Sequence, residues 1–477
     1  MLFNSLEFLF IFLPITLIVY FVLNKLRLLK LATGFLVLAS LYFYSYWKLS
    51  YLPIILFSMV LNYSIGYTLT NENKLKINRK MLMIFGIVIN VALLGYFKYF
   101  DFLIENINLI FSMQFNYMNI LLPLGISFFT FQQIAYLVDS YEGKTKEYDF
   151  LTYTLFVTFF PQLIAGPIVH HKEMIPQFEN IRNRVINYKN LSKGLFLLTI
   201  GLFKKVIIAD FFAKSALIGF SNASVLSFSE SWILIFSYTF QIFFDFSGYT
   251  DMARGIGFMF NINLPQNFNN PYIAIDIQDF WRRWHMTLSR FLRDYIYIPL
   301  GGNRKGNLFT YRNLFLTFLI GGIWHGANWT FIIWGILHGV GSIINRLYKN
   351  LSLNINNSVA WLITFIYICF TWVFFGANDI KSAWTIIKNA VNPLLIDIPR
   401  IYFPEIRFLD SGLTFDFFIL IAIPLAIFFI HNKFFREFID NFKPQLKYSI
   451  FISIALIIIL YMLIRPDYTS PFIYFNF

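Results

Sequence analysis

The sequence predicts an all-α, polytopic membrane protein, and three observations support that fold class. Of the 477 residues, 58% are hydrophobic and only 13% are charged, whereas soluble domains carry about 25% charged residues. Long apolar runs recur from one end of the chain to the other, as expected for a bundle of membrane helices. The runs are continuous and do not alternate, which argues against the strands of a membrane β-barrel.

The apolar runs differ in length, and several are shorter than the ~20 residues that cross a bilayer. They cover residues 6–23, 31–46, 52–69, 81–99, 120–138, 151–169, 195–208, 232–246, 314–323, 329–344, 361–375, 417–430 and 450–464. We therefore expect about ten to twelve crossings, with re-entrant or broken helices among them. The run 151–169 contains Pro161, Gly166 and Pro167 and is predicted to enter the membrane and return on the same side.

Basic residues predict the orientation of the chain. Lys25, Arg27 and Lys30 follow the first run, and Lys433 and Arg436 precede the last one, so both clusters are predicted to be cytoplasmic. Both termini are then extracytoplasmic. The prediction is one membrane-embedded domain, 1–477, with an extracytoplasmic loop at 377–416 and an extracytoplasmic tail at 465–477. The net charge of +13 fits this charge bias, and we expect no nucleic acid partner.

Residues 280–326 form a polar stretch in this apolar chain. It begins with FWRRWH at 280–285, continues with PLGGNRKG at 299–306 and ends with WHG at 324–326. Ionisable groups in apolar surroundings cost several kcal/mol unless they are paired or hydrated. Such a stretch is therefore a candidate for function.

His325 is the sharpest candidate within it. No acid occurs between Asp294 and Asp379, and glycines flank the histidine, which permits close backbone approach or a helix break. An imidazole with an ordinary pKa of ~6.5 can take a proton from a hydroxyl group. The alternative is a membrane histidine hydrogen-bonded to a neighbouring helix, and the residues alone favour neither.

His338 follows 13 residues after His325. At ~100° per residue an unbroken helix would turn the two toward opposite faces. His338 is therefore predicted to be a packing residue, unless the helix breaks at Gly326 or Gly335.

Further candidates precede and surround these two histidines. Arg282 and Arg283, next to His285, could bind phosphates of a nucleotide-containing donor, or could belong to an interfacial helix with tryptophans at headgroup level. His170, His171 and His431 adjoin basic segments and are predicted to be solvated. No Cys/His spacing indicates a zinc site. The single cysteine, Cys369, excludes an intramolecular disulfide.

Several motifs resemble one family when they are taken together. The runs 280–285, 298–304 and 324–326, with FPQLIAGP at 160–167 and FDFSGYTD at 244–251, resemble the membrane-bound O-acyltransferase (MBOAT) family. The branch resembled O-acetylates alginate and peptidoglycan. The resemblance implies a helical bundle with re-entrant segments around a central tunnel, with His325 as the catalytic residue and His285 at the second polar active-site position. The charge of Arg282 and Arg283 places them near the donor entrance.

The last residues, PFIYFNF at 471–477, resemble aromatic tails that are proposed to carry an acyl group on tyrosine. Tyr474 is then an acyl relay, and the alternative is an aromatic anchor at the membrane interface.

The expected function is acetyl transfer from a cytoplasmic thioester, acetyl-CoA, toward a cell-envelope polysaccharide, with no bound cofactor and no metal. Expected partners are membrane lipids, acetyl-CoA and an extracytoplasmic SGNH-type acetyltransferase. The expected location is the bacterial cytoplasmic (inner) membrane, which the chain crosses several times. The alternatives are a polysaccharide or lipid transporter and a non-catalytic scaffold for a secreted transferase.

Overall fold

The computed structural model describes residues 1–71, 78–146, 148–351, 355–395, 443, 445–465 and 472–475. Within these residues all regular structure is helical and none is strand, which confirms the predicted all-α class. The α-helices are α1 (Leu13–Lys25), α2 (Leu29–Ser45), α3 (Leu52–Thr70), α4 (Arg79–Phe111), α5 (Ile126–Tyr141), α6 (Phe150–Thr158), α7 (Phe160–Leu163), α8 (His171–Glu179), α9 (Tyr188–Leu202), α10 (Asp210–Ser221), α11 (Phe228–Met259), α12 (Ile277–Arg283), α13 (Met286–Leu292), α14 (Asn307–His325), α15 (Trp329–Asn350), α16 (Asn357–Gly376), α17 (Ile380–Ala390) and α18 (Leu446–Leu463). The apolar run 417–430 and His431 lie outside the described residues.

Polar residues that flank the apolar runs define several helix starts. The Asn78 side chain accepts hydrogen bonds from the backbone amides of Lys80 and Met81 at the start of α4. At the start of α17, Asp379 accepts one from the backbone amide of Ser382 at 2.8 Å. The first amides of a helix have no partner within the helix, so such caps stabilise its beginning.

The run 151–169 is interrupted, as the sequence predicts. Helix α6 ends at Thr158 and the short α7 ends at Leu163. A methyl group at Gly166 would lie 2.4 Å from the Cα atom of Gln162, so the chain can fold back on itself here only with glycine. The next helix begins at His171. The return of this segment to the same side of the membrane stays a prediction.

Five helical stretches of the described chain are long and apolar enough to cross a membrane. They are Phe8–Lys25, Leu49–Thr70, Arg79–Phe111, Trp329–Asn350 and Asn357–Gly376, and shorter apolar helices cover Leu29–Ser45 and Tyr448–Leu463. This supports a multi-pass membrane protein. The number of crossings, the side on which each terminus lies and the external position of 377–416 stay predictions. Of that loop the structure describes the part up to 395, which contains α17.

The chain forms two compact units that alternate along the sequence. Unit 1 comprises Met1–Leu202, Tyr249–Gln266 and Phe442–Phe477, and unit 2 comprises Phe203–Gly248 and Asn267–Asn441. Aromatic side chains fill the core of each. In unit 1 the Phe43 ring lies 5.5 Å from the rings of both Phe3 and Phe160. In unit 2 the Trp284 ring lies between Phe280 and Trp372, at 5.7 and 4.8 Å.

Candidate active site

Helices α14 and α15 of unit 2 cross in direct backbone contact. A methyl group at Gly335 would lie 2.6 Å from the carbonyl oxygen of Phe318 and 3.0 Å from the Cα atom of Gly322. A methyl group at Gly322 would lie 2.5 Å from the carbonyl oxygen of Phe331. Only residues without a Cβ atom allow this approach. The predicted role of the glycines in close packing is confirmed here.

The chain also breaks between these helices, which changes the position predicted for His338. Helix α14 ends at His325, Gly326 is extended with φ −165°, and α15 begins at Trp329. The angular argument that separated His325 from His338 requires one unbroken helix, so it does not apply. The two histidines lie on different helices, and both rings pack against Trp334, at 4.9 and 4.5 Å.

His325 is enclosed by aromatic rings. Its side chain is buried, and its ring lies 4.9 Å from Trp324, 4.9 Å from Trp334 and 5.1 Å from Phe375, each time edge to face. Burial removes bulk water from the imidazole, so a proton taken up there must come from a bound group or from another buried residue.

His285 lies at the sharp turn between α12 and α13. Its backbone has φ 42°, in the left-handed region, and its side chain is fully buried against the Phe246 ring at 4.8 Å. This burial lowers the pKa of His285 to about 3, because a charged imidazole loses its hydration there. His285 is therefore neutral at physiological pH.

Asn267 fixes the tautomer of His285. Its Oδ1 atom accepts hydrogen bonds from the backbone amide of Thr287 at 3.2 Å and from the Thr287 hydroxyl at 2.9 Å. The same oxygen lies 3.1 Å from Nδ1 of His285. Because an acceptor cannot bond to another acceptor, Nδ1 carries the proton, and the lone pair of the neutral ring is on Nε2.

One indole joins the two predicted catalytic residues. The Trp324 ring lies 6.4 Å from the His285 ring and 4.9 Å from the His325 ring. The fold thus brings together, within unit 2, two histidines that are 40 residues apart in sequence. Their catalytic roles stay predictions.

His338 is held in the opposite tautomer. The indole Nε1 of Trp281 donates to its Nδ1 at 3.2 Å, so the proton of the neutral ring is on Nε2. Among the described residues no acceptor lies within hydrogen-bond distance of this Nε2 or of the buried Nε1 atoms of Trp334 and Trp372. Buried donors of this kind are costly without an acceptor, so this cluster is suited to an oxygen of a bound molecule.

Arg282 and Arg283 differ in their surroundings. Arg282 is exposed near the end of α12, whereas Arg283 is half-buried and pairs with Asp279 at 2.9 Å. Arg283 also donates to the carbonyl oxygen of Asn269 at 3.4 Å. Donor binding by either arginine stays a prediction, and the free side of Arg282 is the more accessible to a phosphate.

A buried ion cluster in unit 2 was not predicted. Nζ of Lys205 lies 2.7 Å from Asp245 and 3.0 Å from Asp210, and both Lys205 and Asp245 have 2% exposed side chains. The two carboxylates compensate the charge of the buried ammonium group of Lys205. Lys205 lies in a π-helical segment, Phe203–Ala209. The feature of the sequence that could have indicated this cluster is a lysine inside the apolar run 195–208.

Tyr474 and the adjacent histidines 170 and 171 belong to unit 1. Tyr474 is 6% exposed, within the short helical turn Ile473–Phe475, and the preceding Phe472 packs edge-on against Tyr249 at 5.0 Å.

The prediction that His171 is solvated is wrong: it is 1% exposed and lies 2.8 Å from Asp139. A carboxylate 32 residues earlier, on α5, makes this burial possible.

Comparison with known proteins identifies relatives that align with most of the chain. Residues 140–384, which include His285, His325 and His338, match the MBOAT, membrane-bound O-acyltransferase, family. A peptidoglycan O-acetyltransferase of Helicobacter pylori is 48% identical over 82% of this chain and 80% of that protein. The probable alginate O-acetylase AlgI of Pseudomonas aeruginosa is 41% identical over 80% of this chain and 74% of that protein. A teichoic acid D-alanyltransferase of Streptococcus thermophilus is 31% identical over 49% of this chain and 59% of that protein.

Proposed function

Because this chain belongs to the membrane-bound O-acyltransferase family and is a membrane-bound acyltransferase, we propose that it O-acetylates a cell-envelope polysaccharide. The donor is a cytoplasmic thioester, acetyl-CoA, and the protein lies in the bacterial cytoplasmic membrane. Two relatives that align with about four fifths of the chain are named for acetyl transfer to such polymers. Peptidoglycan and an alginate-like exopolysaccharide are the two acceptor classes that these names support.

The observation that carries this proposal is the pair of buried histidines whose rings both pack against Trp324. His325 acts as general base and removes the proton of the acceptor hydroxyl as its oxygen attacks the thioester carbonyl. His285 is neutral and orients the acceptor, while the single hydroxyl proton goes to His325 alone. The C–S bond then breaks, and the thiolate takes the proton from His325. The products are an oxygen ester and the free thiol.

The N–H donors near His325 supply electrostatic stabilisation in this scheme. Negative charge develops on the carbonyl oxygen during attack, and buried, preoriented donors stabilise such an oxyanion. Nε2 of His338 and Nε1 of Trp334 and Trp372 are donors for which the described chain offers no acceptor. We assign the oxyanion to this cluster. Trp281 keeps the His338 proton on Nε2 through its own hydrogen bond.

The test is acetyl transfer from radiolabelled acetyl-CoA by the purified full-length protein in nanodiscs. Loss of a general base costs about 10²- to 10⁴-fold in rate, so His325→Ala should lose that much activity while the variant remains folded. Ile323→Ala, on the exposed side of the same helix, controls for disturbance of α14 and should stay active. A well-folded His325→Ala variant with full activity would sink this mechanism. Glycan transport without acetyl transfer would favour a transporter instead.

Tyr474 is the proposed relay between the membrane enzyme and an extracytoplasmic SGNH-type acetyltransferase. The similarity of 471–477 to acyl-carrying tails supports it. In this step the Tyr474 hydroxyl is the acceptor, and its oxygen ester later passes the acetyl group to the partner. Tyr474→Phe removes the hydroxyl and keeps the buried ring. It should abolish acetylation of the C-terminal peptide, measured by mass spectrometry after incubation with acetyl-CoA. Tyr461→Phe, at an exposed tyrosine of α18, is the matched control.

Deletion of the protein in cells identifies the acceptor. Loss of O-acetyl esters from peptidoglycan alone, or from exopolysaccharide alone, distinguishes the two acceptor classes. Unchanged esters in both would contradict the proposed function even if the purified protein hydrolyses acetyl-CoA.

A further inference from the structure

Three side chains with metal-binding atoms converge in unit 1. Asp139 lies on α5, His170 immediately precedes α8 and His171 begins it. Nε2 of His170 and Nε2 of His171 lie 2.6 and 2.8 Å from the same Oδ2 atom of Asp139. One ligand atom from each of the three residues lies within 4.8 Å of the other two. Neither the expected acyl transfer nor the polar stretch 280–326 uses these residues.

The surroundings suit a bound ion better than a solvated charge cluster. The side chains of Asp139 and His171 are 3% and 1% exposed, while that of His170 is 22% exposed, which leaves a path for an ion from solvent. The Tyr148 hydroxyl lies 3.0 Å from Nδ1 of His171. A histidine that coordinates a metal through one nitrogen usually donates from the other to an oxygen, which fixes its tautomer.

Tyr148 is itself held in place. Its backbone carbonyl oxygen accepts a hydrogen bond from the Tyr63 hydroxyl at 2.9 Å, and its ring lies 5.8 Å from the His171 ring. The Tyr136 ring meets the His171 ring edge to face at 6.3 Å. The imidazole of His171 therefore has a fixed orientation, with Nε2 turned toward Asp139 and Nδ1 toward a hydroxyl oxygen.

We propose that Asp139, His170 and His171 bind one divalent transition metal ion, with Zn²⁺ as the best match. Two imidazoles and one carboxylate are a common zinc donor set, and a water molecule completes four-coordination. In a tetrahedral site with bonds of ~2.1 Å the ligand atoms are ~3.4 Å apart. Nε2 of His170 and Nε2 of His171, now 2.6 and 2.8 Å from Asp139, must therefore move away from it by roughly 0.6–0.8 Å, and the partly exposed His170 has room to move.

The proton balance of this step is simple. Each neutral histidine binds the ion through Nε2 and carries its proton on Nδ1, and Nδ1–H of His171 donates to the Tyr148 hydroxyl. Asp139 binds as carboxylate. The ion then joins α5 to the start of α8 across the α6–α7 segment, so metal binding stabilises unit 1 and lies outside the proposed acetyl transfer.

The experiment uses full-length protein in detergent, stripped with a chelator and dialysed against Zn²⁺ or Co²⁺. Wild-type protein should retain about one zinc ion per chain, measured by mass spectrometry of the metal, and its thermal midpoint should rise. With Co²⁺ it should give the visible absorption bands of a four-coordinate site. Removal of a zinc ligand should lower the affinity at least about 100-fold, because the remaining donors no longer close the site.

Two variants and one control make the result decisive. Asp139→Asn should abolish both the bound zinc and the thermal shift. If that variant does not fold, His170→Gln, at the most exposed ligand, should likewise abolish the bound zinc and the thermal shift. Glu173→Gln changes the same charge two residues from His171, on α8, and should bind zinc like the wild type. The proposal is overturned if the wild type binds less than about a tenth of an equivalent, or if Asp139→Asn and His170→Gln bind as tightly as it does.

Discussion

Replacement of Gly335 by alanine tests whether the close crossing of α14 and α15 positions His325, the proposed general base. The added methyl group would meet the carbonyl oxygen of Phe318 at 2.6 Å, where ordinary contacts begin at 3.4 Å. The helices must therefore separate by about 0.8 Å. The two nearest atoms, the carbonyl oxygen of Phe318 and the Cα atom of Gly322, belong to the backbone, so no side-chain rotation can relieve the clash. Overpacking of this kind costs about 1–3 kcal/mol.

The same displacement changes the environment of His325. Its ring is on α14 and packs against Trp334 on α15 at 4.9 Å, so separation of the helices loosens that contact. A misplacement of ~1 Å can cost about 10²-fold in rate. Gly335→Ala should therefore lower kcat for acetyl transfer by roughly 10- to 100-fold and lower the thermal midpoint by several degrees.

Gly95→Ala is the matched control. Gly95 lies within α4, and a methyl group there would meet no atom within 4 Å. Alanine favours helix over glycine by about 1 kcal/mol, so this variant should be as active as the wild type and slightly more stable. If Gly335→Ala keeps both the kcat and the thermal midpoint of the wild type, the crossing of the two helices does not position His325.

Three further predictions concern charge and donor binding. Between pH 6.5 and about 3, His285 binds a proton in the unfolded chain but not in the folded protein. The free energy of unfolding therefore falls as the pH falls through this window. His285→Asn should weaken this pH dependence, which thermal midpoints at each pH measure. Lys205→Met removes the cation that pairs with the buried Asp245 and the partly exposed Asp210 and should cost about 3–5 kcal/mol. Asp245→Asn should cost less, because Asp210 still pairs with the lysine. Denaturation of the solubilised protein compares the two variants, and equal losses would contradict the reasoning. Arg282→Gln should raise KM for acetyl-CoA several-fold with kcat unchanged, since an exposed arginine would bind a donor phosphate equally in the ground state and the transition state. An unchanged KM would show that Arg282 is not part of the donor site.

The sequence was sufficient for the fold class, because composition and apolar runs follow directly from the bilayer as a solvent. The break in 151–169 was also predictable, since proline and glycine act on the local backbone. The exact first and last residues of the helices were less predictable. The run 81–99 lies within a helix that extends to Phe111, beyond the apolar part of the sequence, because polar residues on one side of a helix interrupt the run and not the helix.

The candidate site was predictable only where the motif itself carries the residue. His285 and His325 were named from motifs, yet no local pattern shows that one indole contacts both. The pairing of His171 with Asp139, and of Lys205 with Asp245, depends on distant segments that meet only in the fold. The prediction that His171 is solvated was wrong for this reason. A neighbouring basic segment indicates only the local charge of the sequence, whereas the burial of a side chain depends on its tertiary partners.

The helix ends next to the two candidate catalytic residues differ in their electrostatic effect. His325 is the last residue of α14, a helix of 19 residues, and the carbonyl end of a helix carries a partial negative charge that favours a cation by as much as ~2 kcal/mol. His285 lies between the carbonyl end of α12 and the amide end of α13, where the two partial charges oppose each other. In the proposed mechanism the backbone therefore supports the imidazolium that His325 becomes as a general base, whereas His285, which burial already keeps neutral, receives no such support.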